Sequence, residues 1–175
     1  AGITLYTVGS VKTVPGICTY VAIDGGMTDN IRTALYGSKY EAFVVERADK
    51  PRDVICDIVG KHCESGDVVV KNAPLQACEA GDHICVLGTG AYCNEMASNY
   101  NKQVRPGIVF VRDGAVREVV RRETYDDLLA EMWLTLRDDA TGAFVAGIRN
   151  TYRGVLIDEF QDTDPVQFAI FRKLF

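Results

Sequence analysis

The chain has 175 residues, 47% of them hydrophobic and 25% charged, with a formal net charge of -5. That composition is globular and long enough for one core plus an appendage without staples of disulfide or metal. It offers no basic field for a phosphate backbone, no apolar run long enough to span a bilayer, and a start, AGITLYTVGS, without the pattern of an export signal, so the expected setting is cytoplasmic.

From residue 4 to 122 short alternating or apolar runs are separated by turn residues: TLYTV, CTYVAID, EAFVVE, DVICDIV, DVVV, HICVLG, GIVFVRDG and AVREVV. Period-two patterning with β-branched residues predicts strands, hence a β-rich domain. Asp113-Gly114 between two such runs predicts a tight hairpin, because that pair accepts positive backbone angles. Two helical interruptions are expected, at TDNIRTALYG with Thr28 or Asp29 as its cap, and at GAYCNEMASNYN.

After Thr124 the pattern changes. TYDDLLAEMWLTL carries Leu128, Leu129, Met132, Trp133 and Leu136 at helical spacing, with acidic residues in its first turn. A second helix across TGAFVAGIRNTY, a short buried strand at GVLID and a helix at DPVQFAIFRKLF, opened by Pro165, complete an α/β or α-helical tail. The expected division is 1–130 and 131–175.

Six cysteines, Cys18, Cys56, Cys63, Cys78, Cys85 and Cys93, form no Cys-x-x-Cys pair, and His62 and His83 are not spaced as ligands. Small buried apolar roles are expected for most of them, and no metal site in this part.

The strings DGGMTDNIRTALYG, GKHCESGD, TGAYCNEMASNYN and PGIVFVRDG, in that order, resemble the C-terminal domain of the diaminopimelate decarboxylases over about residues 1 to 130. The resemblance implies a mainly β fold, the β-barrel or sandwich domain of the alanine racemase and decarboxylase type. It implies pyridoxal phosphate as cofactor and conversion of meso-diaminopimelate to lysine and carbon dioxide. Decarboxylation leaves a carbanion that the cofactor delocalises, so the protein must hold substrate and return a proton. By resemblance Cys63 is that proton donor; an ordinary thiol, with a pKa of about 8.5, is mostly protonated near neutrality.

Glu64 would by resemblance pair with the ammonium at the substrate's far end. Arg32 and Tyr36 match the residues that bind the far carboxylate, and, four apart, they share a face if this turn is helical. Tyr92 matches the tyrosine that contacts cofactor and substrate. Ile31 and Thr33 depart from the family, which has proline on either side of this arginine. The lysine that holds the cofactor belongs to an N-terminal barrel domain, and CESGD reaches into the partner subunit's site. The resemblance therefore implies a homodimer, a composite site and a fragment inactive alone.

GVLIDEFQDTDPVQFAIFRKLF resembles motif II of superfamily 1 DNA helicases, of the exonuclease V beta subunit type, over about residues 125 to 175. A buried strand there would deliver Asp158 to nucleotide-bound magnesium and Glu159 to the attacking water, with Gln161 nearby. No glycine-rich loop ending in Lys-Ser or Lys-Thr accompanies it, so these residues are a vestige of an ATP site. ETYDDLLAEM suits both families and marks the join. Three readings follow: a decarboxylase fragment with a helicase-like tail, an ATP-dependent DNA helicase fragment, or a structural dimerisation module.

Overall fold

The alternating segments fold as strands. The computed structural model describes residues 2–122, 125–152, 154 and 164–175. Its strands are β1 (Ile3–Val14), β2 (Cys18–Ile23), β3 (Ala42–Val44), β4 (Val54–Val59), β5 (Val68–Leu75), β6 (His83–Leu87), β7 (Ile108–Arg112) and β8 (Ala115–Val120). β1 outruns its apolar stretch because it serves two partners, pairing with β6 over Ile3 to Thr7 and with β2 over Val8 to Val14.

The first six strands form one sheet in the order β3-β6-β1-β2-β4-β5. Its pairs are antiparallel except β2 with β4, which run parallel. The edge strands β3 and β5 return to one another, so the sheet is a nearly closed barrel. Gln76 closes the seam: its buried side chain accepts the Val44 N–H at 3.0 Å and donates to the Lys50 carbonyl at 3.4 Å, satisfying edge groups that the ladder leaves over. Val8, Val21, Val44, Ile58, Leu75 and Ile84 fill the interior, each adding about 1.5–3 kcal/mol of apolar burial.

The two helical interruptions are shorter than their sequence suggests: α1 is Arg32–Tyr36 and α2 is Gly90–Glu95. Neither Thr28 nor Asp29 caps α1, whose N-cap position is Ile31. The side chains expected to cap are spent elsewhere, Asp29 accepting the Gly26 N–H at 2.7 Å and Thr28 meeting His62, so residues 26–30 are a turn rather than helix. After α2, Asn101 takes a left-handed conformation (φ 53°) that keeps the 3-10 turn at Tyr100–Lys102 from extending.

The chain divides into two compact units, Ala1–Pro106 and Gly107–Phe175. The sequence reading sets its junction after Ala130; this division comes earlier, because β7 and β8 form a two-stranded sheet of their own. In the second unit, Arg121 at the end of that hairpin pairs with Asp127 of α3 (Tyr125–Asp138) at 3.2 Å. Helices α4 (Ala143–Thr151) and α5 (Pro165–Leu174) follow. Leu136, Ile170 and Leu174 are buried among Leu129, Trp133, Val145 and Ile148, a small apolar core that all three helices share.

Asp164 caps α5 by accepting the Val166 and Gln167 N–H groups, Gln167 reaches back to the Asp164 N–H, and Pro165 takes the first helical position. At the other end, the Arg149 guanidinium donates to the carbonyls of Leu174 (2.6 Å) and Lys173 (3.2 Å). The strand expected at GVLID, with Asp158, Glu159 and Gln161, lies outside the described residues. Among the described residues no helix is long and apolar enough to cross a membrane.

Candidate functional site

Because β2 and β4 are parallel neighbours, with Ala22 opposite Val59, the loops that leave their C-terminal ends emerge side by side. One loop is DGGMTDN, leading into α1; the other is GKHCESGD. Strings thirty residues apart in sequence therefore share one end of the barrel.

Arg32 opens α1, and its guanidinium lies 5.2 Å from the Tyr36 ring centroid and 5.1 Å from that of Tyr92 on α2. The expected one-face relation of Arg32 and Tyr36 holds, and Tyr92 joins them from a separate helix. Both tyrosines stay more than half exposed. Contact with two rings restrains the guanidinium, which also interacts with the Tyr40 hydroxyl, and a guanidinium so held suits a planar anion. Thr33, one of the two departures from the family's prolines, donates its hydroxyl to the Val69 carbonyl at 2.7 Å and so anchors α1 to β5. Behind α1, burial is the first cause that raises the Asp29 pKa, partly offset by the Gly26 N–H it accepts.

In the other loop Glu64 accepts a 2.5 Å hydrogen bond from the Tyr100 phenol. That bond, then the carboxylate charge, raises the Tyr100 pKa. His62 stands 3.1 Å from the Thr28 hydroxyl through Nε2, with its ring 5.9 Å from that of Tyr100. Of the six free cysteines only Cys63 is exposed; Cys56, Cys85 and Cys93 are buried, and burial pushes the Cys56 thiol up to about 12. Cys18 and Cys78 are half-buried, so Cys63, the cysteine of the CESGD string, is the most accessible of the six thiols.

An open hollow of about 390 Å³ is lined by Met27, Ile31, Glu64, Met96, Ser98 and Tyr100. Glu64 is the charged group in its lining; Arg32 and Cys63 are the chain neighbours of the lining residues Ile31 and Glu64. The walls of the hollow suit a short methylene chain, with the Glu64 carboxylate available for an ammonium. Sequence reasoning missed Thr28, His62, Asp67, Met96 and Tyr100. Their strings were singled out, but nothing in a lone Tyr or Asp announces a partner 36 or 40 residues away.

Residues 1–90 match the family model of the pyridoxal-dependent decarboxylase C-terminal sheet domain. The chain belongs to that family. The diaminopimelate decarboxylase of Bacillus subtilis is 52% identical over 129 residues, 74% of this chain and 29% of that protein. That of Mycobacterium tuberculosis H37Rv is 49% identical over 133 residues, 73% of this chain and 30% of that protein. Among solved structures, diaminopimelate decarboxylase from M. jannaschii superposes with a TM-score of 0.66 at 34% identity, covering 75% of this chain and 30% of that one. The Helicobacter pylori enzyme, complexed with L-lysine, gives a TM-score of 0.64 at 32% identity, covering 74% and 31%. The chain thus spans under a third of the length of these decarboxylases. Residues 82–175 match a second family model, the UvrD/REP helicase N-terminal domain, which overlaps the first match over residues 82–90.

Proposed function

We propose that the chain supplies the sheet-domain half of a diaminopimelate decarboxylase active site, acting on meso-diaminopimelate in a cytoplasmic homodimer. The observation that carries this reading is that the loops bearing Arg32 and Glu64 leave the same end of the barrel, where β2 and β4 run parallel, with Glu64 lining a largely apolar hollow there. A substrate with an ammonium and a carboxylate at its far end meets a base and a cation there in suitable chemical order.

Pyridoxal phosphate, when bound, supplies the electron sink that takes up the pair left by departing carbon dioxide. The residues present fit such a group, because Tyr92 is held by its stack on Arg32 yet is 69% exposed, leaving its hydroxyl free to donate to a phosphate. The chain's own tasks are then distinct. Arg32, with Tyr36, binds the far carboxylate; Glu64 binds the far ammonium; Met27, Ile31 and Met96 exclude water from the chain between. The Cys63 thiol delivers its proton to the α-carbon, leaving a thiolate that solvent reprotonates. The cofactor's lysine is contributed by a barrel domain, so carbon dioxide release requires that domain.

The test is to mix the chain with pyridoxal phosphate and a separately expressed barrel domain and to follow carbon dioxide release from meso-diaminopimelate. Release that depends on both parts supports the reading. No release from a folded barrel that binds the chain and the cofactor overturns it.

The helicase match supports a second reading, an ATP- and magnesium-dependent DNA motor fragment using Asp158, Glu159 and Gln161. ATP binding by the chain alone, abolished by Asp158→Asn, would favour it.

A further inference from the structure

We propose that Asp67 is a positioning residue which sets the spacing between the loop that carries Arg32 and the loop that carries Cys63 and Glu64. The substrate it serves rests on the decarboxylase reading; the bridge itself rests on geometry alone.

Asp67 is 3% exposed, and its carboxylate lies between the two loops. Oδ1 accepts the Met27 N–H at 2.6 Å and Oδ2 accepts the His62 N–H at 2.8 Å, one oxygen to each loop. Two glycines make room for it. A Cβ on Gly26 would lie 2.6 Å from Oδ1, and one on Gly60 would lie 2.1 Å from Oδ2, closer than side chains approach. The loop's own backbone closes around the same residue, the Gly60 N–H donating to the Asp67 carbonyl at 2.9 Å and the Asp67 N–H to the Glu64 carbonyl at 3.0 Å.

The choice of residue is informative. Both partners are donors, so the bridge needs two acceptors. An asparagine could satisfy one N–H but would point its own NH₂ group at the other. A carboxylate taken out of water is retained only where charge-assisted bonds of this kind hold it. Past Ala22 and Val59 the two loops share a main-chain bond, the Lys61 N–H donating to the Gly25 carbonyl at 3.2 Å, and beyond it their separation is set by side-chain links such as this one. The Thr28–His62 contact spans the same gap and would keep the two loops near one another when Asp67 is altered.

The experiment measures amide exchange by NMR on the 175-residue chain, and turnover on the chain reconstituted with the barrel domain. Asp67→Asn is expected to speed exchange at both Met27 and His62 by roughly tenfold or more, while Ile58 and Val70 in the β4–β5 core are unchanged. Gly60→Ala should have the same effect by displacing the carboxylate. Added to Asp67→Ala it should change exchange by less than about twofold, since nothing remains to displace. In the reconstituted enzyme, Asp67→Asn should raise KM for meso-diaminopimelate by roughly tenfold, with a much smaller effect on kcat at saturation.

Exchange that rises at one amide only, or equally in the core, overturns the bridge, as does a Gly60→Ala effect that persists in Asp67→Ala. Loosened loops with an unchanged KM overturn the positioning role. A wild-type chain that never gains activity removes the decarboxylase reading and leaves the exchange result to decide the bridge.

Discussion

The Tyr100 phenol donates its proton to Glu64 Oε1 at 2.5 Å, joining the 3-10 turn that follows α2 to the loop that follows β4. The phenolate form would sit beside a carboxylate, so the Tyr100 pKa is raised, first by the hydrogen bond and then by the Glu64 charge. In spectrophotometric titration Tyr100 should ionise late, as should Tyr6 and Tyr40, and Glu64→Gln should bring one of these late tyrosines back down toward the ordinary value of 10.0. A titration curve indifferent to Glu64→Gln would show that the contact does not persist in solution.

Cys63→Ala in the reconstituted enzyme should slow turnover by roughly 10²- to 10⁴-fold, the contribution of a positioned acid, with little change in KM. Unchanged turnover would remove the thiol from the chemistry. The exposure of Cys63 also makes it the first of the six thiols expected to react with iodoacetamide, which mass spectrometry of tryptic peptides checks.

Acid should weaken the first unit through Glu46. Its side chain accepts from His83 Nδ1 at 2.6 Å and from the His83 N–H at 3.0 Å, and these bonds hold its pKa at about 2, below the ordinary 4.5. A lowered folded-state pKa stabilises fully above the unfolded value and is lost as pH falls through the folded one. The contribution is therefore present above about pH 4.5 and lost toward pH 2. Asp29 has the opposite sign: burial raises its pKa, so its contribution is full below 3.8 and lost as pH rises through the raised value. Urea midpoints from pH 2 to 6 should rise with pH less steeply in Glu46→Gln and more steeply in Asp29→Asn.

Leu136→Ala should cost the second unit about 2–5 kcal/mol, because Leu136 is fully buried among α3, α4 and α5 and its removal leaves a cavity. Amide exchange should rise across the three helices while β1 to β6 keep their protection. A uniform rise through both units would show that they unfold as one.

The eight strands and three tail helices were legible because each announces itself locally: alternation for a half-buried strand, 3.6-residue spacing for a helix, Asp113-Gly114 for the hairpin. The candidate residues were legible as types in order, and Arg32 with Tyr36 even as a pair, because four residues along a helix make one turn. Caps at Thr28 and Asp29 were misread because a side chain that could cap a helix can equally bond across a loop, and only the presence of His62 and the Gly26 N–H decided between them.

What the sequence by itself determined is the set of short-range preferences and the chemical inventory: a β-rich chain with a helical tail, a thiol beside a carboxylate, an arginine with a tyrosine one helical turn away. Only the tertiary structure decided that β2 and β4 are parallel neighbours, that Tyr92 completes the stack on Arg32, that Tyr100 holds Glu64, and that Asp67 spans both loops. The physical reason is range. Propensity and periodicity act over a few residues, whereas these contacts join positions from 36 to 60 residues apart, and their pairing is set by which strands lie side by side once the barrel's apolar interior is filled.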